Sequence, residues 1–137
     1  MNTKELIEIV SDMIDNDCKV IAGEKGFWYD QKENQITLGL NESYMDNLDW
    51  KLFLKNEYNF QLTRENWFTL SVLHELGHHY TIEYFTTEEW NESQHDYEDV
   101  NDHFNELVEK VATEWAIEYY NMVDIDFWNK KITNALR

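Results

Sequence analysis

His74-Glu75-Leu76-Gly77-His78 is the stretch of this chain whose residue types and spacing point most directly to chemistry. Residues four apart on an α-helix lie one turn apart on the same face, so His74 and His78 can offer imidazole nitrogens to one ion. Glu75 is rotated about 100° from His74, too far round to share the coordination shell comfortably but close enough to serve a water at the ion. That is where a general base belongs, so H-E-x-x-H inside a helix reads as a zinc site with Glu75 as the base. Gly77 adds weight, because a glycine costs a helix about 1 kcal/mol. Its place beside the histidine face implies that something approaches there, and a binding site explains it.

A catalytic zinc usually has three protein ligands, so one more must come from elsewhere in the chain. The extended pattern H-E-x-x-H-x-x-G-x-x-H is excluded, because Thr81 stands in place of its glycine and Tyr84 in place of its third histidine. On a later helical stretch, Glu109 flanks an apolar stripe and shares its side with the small residues Ala112 and Ala116, which would let two helices pack closely. Glu106 points away from that stripe and reads as a solvated carboxylate. Glu109 therefore ranks first as third ligand, with His95 and His103 as further candidates. His79 reads as support for the site or as a solvent-facing residue. Tyr80, Tyr97, His103, Tyr119 and Tyr120 are candidates for stabilising an oxyanion, although tyrosines in so aromatic a chain are more often packing residues.

These residues need elements to hold them. Leu6, Ile9, Val10, Met13 and Ile14 recur at helical spacing and predict a helix over 3–15. Short strands are expected over 19–22, 27–30 and 35–40, the last two joined by the polar turn 30–34. The stretch 43–54 reads as a helix with Met45, Leu48 and Leu52 on one face. Thr63 can cap a long helix running to about residue 85 that carries the histidines. A polar loop over 86–95 should lead into a second long helix, whose stripe runs through Val100, Phe104, Leu107, Val108, Val111, Ala112, Trp115 and Tyr119. A last short helix is expected over 127–136. The expected fold is α+β: a small sheet packed on the histidine helix, with the Glu109 helix crossing beside it, in one domain spanning 1–137.

His74-Glu75-Leu76-Gly77-His78 followed by Glu109-x-x-Ala112-x-x-Trp115-Ala116 resembles the ImmA/IrrE family of metallo-endopeptidases, whose second element is E-x-x-A-x-x-F-A. The two-part pattern is more specific than H-E-x-x-H alone, and the resemblance covers mainly residues 67–120. It implies a zincin-like core of the gluzincin type, Glu109 as the third zinc ligand, and bacterial or bacteriophage origin. It further implies cleavage of intracellular regulators such as phage or mobile-element repressors. The chain departs from the family in size and in its acidity.

With 28 acidic against 11 basic residues, the formal net charge is −17, and no Lys or Arg occurs between Glu65 and Glu109. Such a chain should repel nucleic-acid phosphate and anionic membranes, and attract divalent metal or a basic protein segment. The lone Cys18 cannot form an internal disulfide and reads as a small buried hydrophobe; with no CxxC pair, a zinc ribbon is excluded. Residues 1–15 lack the features of a signal peptide and no apolar run is long enough to cross a bilayer, so the cytoplasm is the expected compartment. The expected function is zinc-dependent hydrolysis of peptide bonds in a repressor-like regulatory protein, with the substrate strand docking on an exposed edge at 35–40. The rivals are a non-catalytic acidic protein, such as a DNA mimic with a structural or vestigial zinc, and a metal-dependent sensor.

Overall fold

A computed structural model of the chain describes residues 1–93 and 100–137. Its elements are α1 (Thr3–Met13), β1 (Lys19–Gly23), β2 (Trp28–Asp30), β3 (Gln35–Gly39), α2 (Leu48–Tyr58), α3 (Trp67–Thr81), α4 (Thr87–Glu92), α5 (Val100–Asn105), α6 (Leu107–Met122) and α7 (Ile125–Leu136). Among the described residues this is an α+β arrangement with one small three-stranded sheet, as the sequence leads one to expect, but with seven helices where the sequence predicts five.

Helix α1 forms because Leu6, Val10 and Met13 recur every three or four residues and bury one stripe, while the Asn2 side chain accepts the Glu5 N–H at its start. Its buried stripe faces β1 and α7. In the sheet, β3 lies between β1 and β2, parallel to the first and antiparallel to the second. The β2–β3 hairpin turns where the Asp30 carboxylate accepts the Lys32 and Glu33 N–H groups and Asn34 takes a left-handed φ of 50°. This overturns the expectation of an exposed edge at 35–40, because that strand is paired on both sides. Alternation of Ile36 and Leu38, both fully buried, reports that one face is covered. It carries no information about which strand ends the sheet. The edge strands are β1 and β2.

Helix α3 is buried around nearly its whole circumference, as a helix at the centre of a small domain must be. It begins later than expected. Thr63 and Asn66 close a turn on each other, the Thr63 N–H donating to Asn66 Oδ1 at 2.7 Å and the Asn66 N–H to Thr63 Oγ1 at 3.2 Å, and the helix proper starts at Trp67. After Thr81 only a 3₁₀ turn, Ile82–Tyr84, continues it. Helix α6 packs along α3 in the most extensive helix pair of the fold. At the crossing a Cβ on Gly77 would lie 2.5 Å from the Ala112 carbonyl oxygen. The close approach implied by Gly77 is therefore made by the backbone of α6, and not by a ligand.

Three further expectations are corrected. The second long helix is two helices: Glu106 adopts an extended backbone (φ −60°, ψ 133°) between α5 and α6, and Leu107 faces solvent. The polar loop at 86–95 contains α4, capped reciprocally by Thr86 and Glu89. The stretch 43–54 divides into a 3₁₀ turn (Tyr44–Asn47) and α2, and Trp50, Phe53 and Leu54 are buried while Met45, Leu48 and Leu52 are exposed. Among the described residues no helix is long and apolar enough to cross a membrane.

Candidate metal centre

Helix α3 delivers His74, Glu75 and His78 to one side, and the first turn of α6 delivers Glu109 opposite them. Glu109 Oε2 lies 2.8 Å from both His74 Nε2 and His78 Nε2. One ligand atom from each of the three side chains falls within 4.8 Å of the others, a span that one ion can bridge with small side-chain rotations. Glu109 gets there because Gly77 lets the α6 backbone touch α3 three residues after the carboxylate. Behind the histidines, Thr113 Oγ1 lies 3.0 Å from His74 Nδ1, whereas His78 Nδ1 is buried with no hydrogen-bond partner among the described residues.

Burial opposes ionisation of Glu109, but the charges of His78 and His74 and the hydrogen bonds from both outweigh it and hold the carboxyl well below the ordinary carboxylate range. Glu75 has the opposite balance. Burial pushes it up to about 7, only partly offset by His74 and reinforced by the negative charges of Glu109 and Glu42. Two carboxyl groups on facing helices are thus driven apart, one acceptor-only and one able to carry a proton near neutrality.

His74, Glu75, His78, Glu109 and Thr113 all line one cavity of about 480 Å³. Its wall includes the edge strand β2 and the preceding Phe27, Trp50 of α2, Trp90 of α4 and His103 and Phe104 of α5. Trp50 and Trp90 meet the rings of His74 and His78 edge-on, at 5.9 and 5.1 Å between centroids. Glu42, Asp46 and Asp49 also line it, and among the described residues no Lys or Arg does.

Other candidates fall elsewhere. Tyr80 and Tyr119 each stack on Trp115, and their hydroxyls donate to the Asp17 carboxylate and the Met13 carbonyl. Tyr120 lies within hydrogen-bond distance of Asn66 and Asn129. None of the three lines the cavity. His103 does, 41% exposed at the side chain, with Nε2 3.5 Å from Glu109 Oε1. Burial lowers its pKa, with Glu109 acting in the opposite sense. His79 faces the sheet, where its Nδ1 lies 3.2 Å from the Tyr29 hydroxyl. Glu106 is half-buried at the break before α6. His95 and Tyr97 lie outside the described residues.

Sequence reasoning missed Trp50, Trp90 and Thr113. The Thr86-x-x-Glu89 capping box was the available signal for a helix presenting Trp90; a single threonine carries no such signature. The chain matches no protein-family model, no curated protein and no solved structure.

Proposed function

We propose that this chain is a zinc-dependent metallo-endopeptidase with a zincin-like core, in which His74, His78 and Glu109 hold the metal and Glu75 is the general base. The observation that carries the reading is convergence: three donor atoms of suitable chemistry meet in the wall of an open cavity, with a buried carboxyl beside them. Two imidazoles and one carboxylate are a common protein complement of a catalytic zinc. Zinc bound there would supply Lewis acidity toward a peptide carbonyl and activate water near neutral pH. Glu75 takes a proton from the attacking water and passes it to the leaving amine. His103 is the described residue best placed to hydrogen-bond the carbonyl oxygen as charge develops on it, because it lines the cavity beside Glu109.

An extended peptide would add to β2, the edge strand whose residues line the cavity, and so lie across the centre. The acidic wall and the net charge of −17 favour a basic segment and disfavour nucleic acid and anionic membranes. Resemblance to the ImmA/IrrE family directs attention to repressor-like DNA-binding proteins of bacterial or phage origin in a bacterial cytoplasm. The same net charge favours one rival, an acidic mimic that binds a basic partner without turnover.

The test is metal analysis of protein purified without added metal, followed by incubation of wild type and Glu75→Gln with candidate repressors and mass spectrometry of the products. Stoichiometric zinc and new termini from wild type alone support the peptidase. Binding by both proteins with no new termini supports the mimic.

A further inference from the structure

We propose that Thr113 is the positioning residue of this centre: its hydroxyl holds the His74 ring from behind, accepting from Nδ1–H when Nε2 ligates zinc. The inference rests on the zinc reading above and adds to it a residue outside the ligand set.

Glu109 Oε2 lies 2.8 Å from His74 Nε2, the nitrogen that faces the centre, and the Thr113 hydroxyl lies 3.0 Å from the other ring nitrogen, Nδ1. A metal needs the Nε2 lone pair, so a His74 that ligates through Nε2 carries its one hydrogen on Nδ1. The Thr113 oxygen, already at hydrogen-bond distance, can accept that hydrogen and fix the ring; a methyl in its place could not.

Placement supports the assignment. Thr113 follows Glu109 by four residues on α6, so one helix face presents both a ligand and the group that orients another ligand. Thr113 is 3% exposed, which leaves water little room to replace it. The far nitrogen of His78 has no partner among the described residues, so in this pair only His74 has its ring held by a hydrogen bond from behind. Groups that hold the second nitrogen of a metal-bound histidine typically matter by 10- to 100-fold in metal affinity.

The experiment measures zinc affinity by chelator competition for wild type, Thr113→Val and Thr113→Ser, with urea midpoints as a check on folding. Long-range ¹H–¹⁵N NMR of the histidine rings in wild type, with and without zinc, reads the tautomers. Thr113→Val, which keeps the shape, is expected to lose 10- to 100-fold in affinity, and Thr113→Ser to return to within a few-fold of wild type. With zinc bound, His74 should carry hydrogen on Nδ1 and none on Nε2. Unchanged affinity in a folded Thr113→Val, or a bare Nδ1 in the zinc-loaded protein, overturns the role of Thr113 alone. Should Thr113→Val fail to fold, the wild-type tautomers and Thr113→Ser decide the matter. Wild type that binds no zinc overturns both this inference and the metallopeptidase reading.

Discussion

Glu75 and Glu109 are the same residue type in the same cavity wall, and their surroundings shift their carboxyl groups in opposite directions. Glu75→Gln preserves the shape but removes the proton acceptor, so it should keep zinc and fold while lowering hydrolysis about 10²–10⁴-fold, as peptide turnover would reveal. Glu109→Ala removes the carboxylate on which both histidines converge and should strip the metal. Glu106→Ala, at the extended residue before α6, should leave zinc content unchanged; the reverse pattern on metal analysis would reject the ligand set. Cys18 yields a prediction independent of zinc. Burial, and then the charge of Asp17, push its thiol from 9.0 up to about 11, which favours the unreactive protonated form. At pH 8 the thiolate fraction falls about 100-fold below that of a thiol at 9.0, so alkylation should be at least that much slower in native than in urea-unfolded protein. At this scale the histidine pair is legible because one helix fixes its spacing. Thr113 and Trp90 are not, because their relation to the histidines exists only after separate elements pack.

At the scale of elements, the α3–α6 crossing decides whether the candidate centre exists. Alanine in place of glycine ordinarily stabilises a helix interior by about 1 kcal/mol. At Gly77 the new Cβ would meet the Ala112 carbonyl oxygen at 2.5 Å, and backbone cannot swing aside as a flexible side chain can. Overpacking costs typically 1–3 kcal/mol, and against unyielding backbone about 2–3 kcal/mol applies, so Gly77→Ala should lose about 1–2 kcal/mol net in urea unfolding and weaken zinc binding by parting Glu109 from the histidines. An unchanged or higher urea midpoint would mean that the two helices are not held at this distance. The glycine itself was legible as a sign of close approach, but which body approaches depends on the tertiary path of α6. The break between α5 and α6 was hidden for a related reason. Phe104 and Val108 continue one apolar spacing across it, and periodicity cannot report a single extended residue such as Glu106. Sheet order was equally silent, since strand alternation reports faces and leaves neighbours undetermined.

Over the whole molecule, charge is the property that sequence and structure express in the same way, as an acidic chain whose cavity wall, among the described residues, holds carboxylates without Lys or Arg. A field of this sign acts mainly on encounter and selectivity, while contacts inside the cavity determine how long a bound segment stays. Exposed charges such as Asp46 and Asp49 are screened beyond about 8 Å at physiological ionic strength, so their contribution to binding should fall as salt rises. The half-buried Glu42 and the apolar contacts with Trp50 and Phe27 should be less affected. A Lys- and Arg-containing peptide should therefore bind Glu75→Gln about tenfold or more weakly at 500 mM salt than at 50 mM. A Glu-rich peptide of equal length should bind poorly at low salt and improve slightly as repulsion is screened. Tryptophan emission supplies the measurement, since Trp28, Trp50 and Trp90 line the cavity. Equal affinity for the two peptides at low salt, or no salt dependence for the basic one, would show that the acidic surface serves solubility rather than recognition.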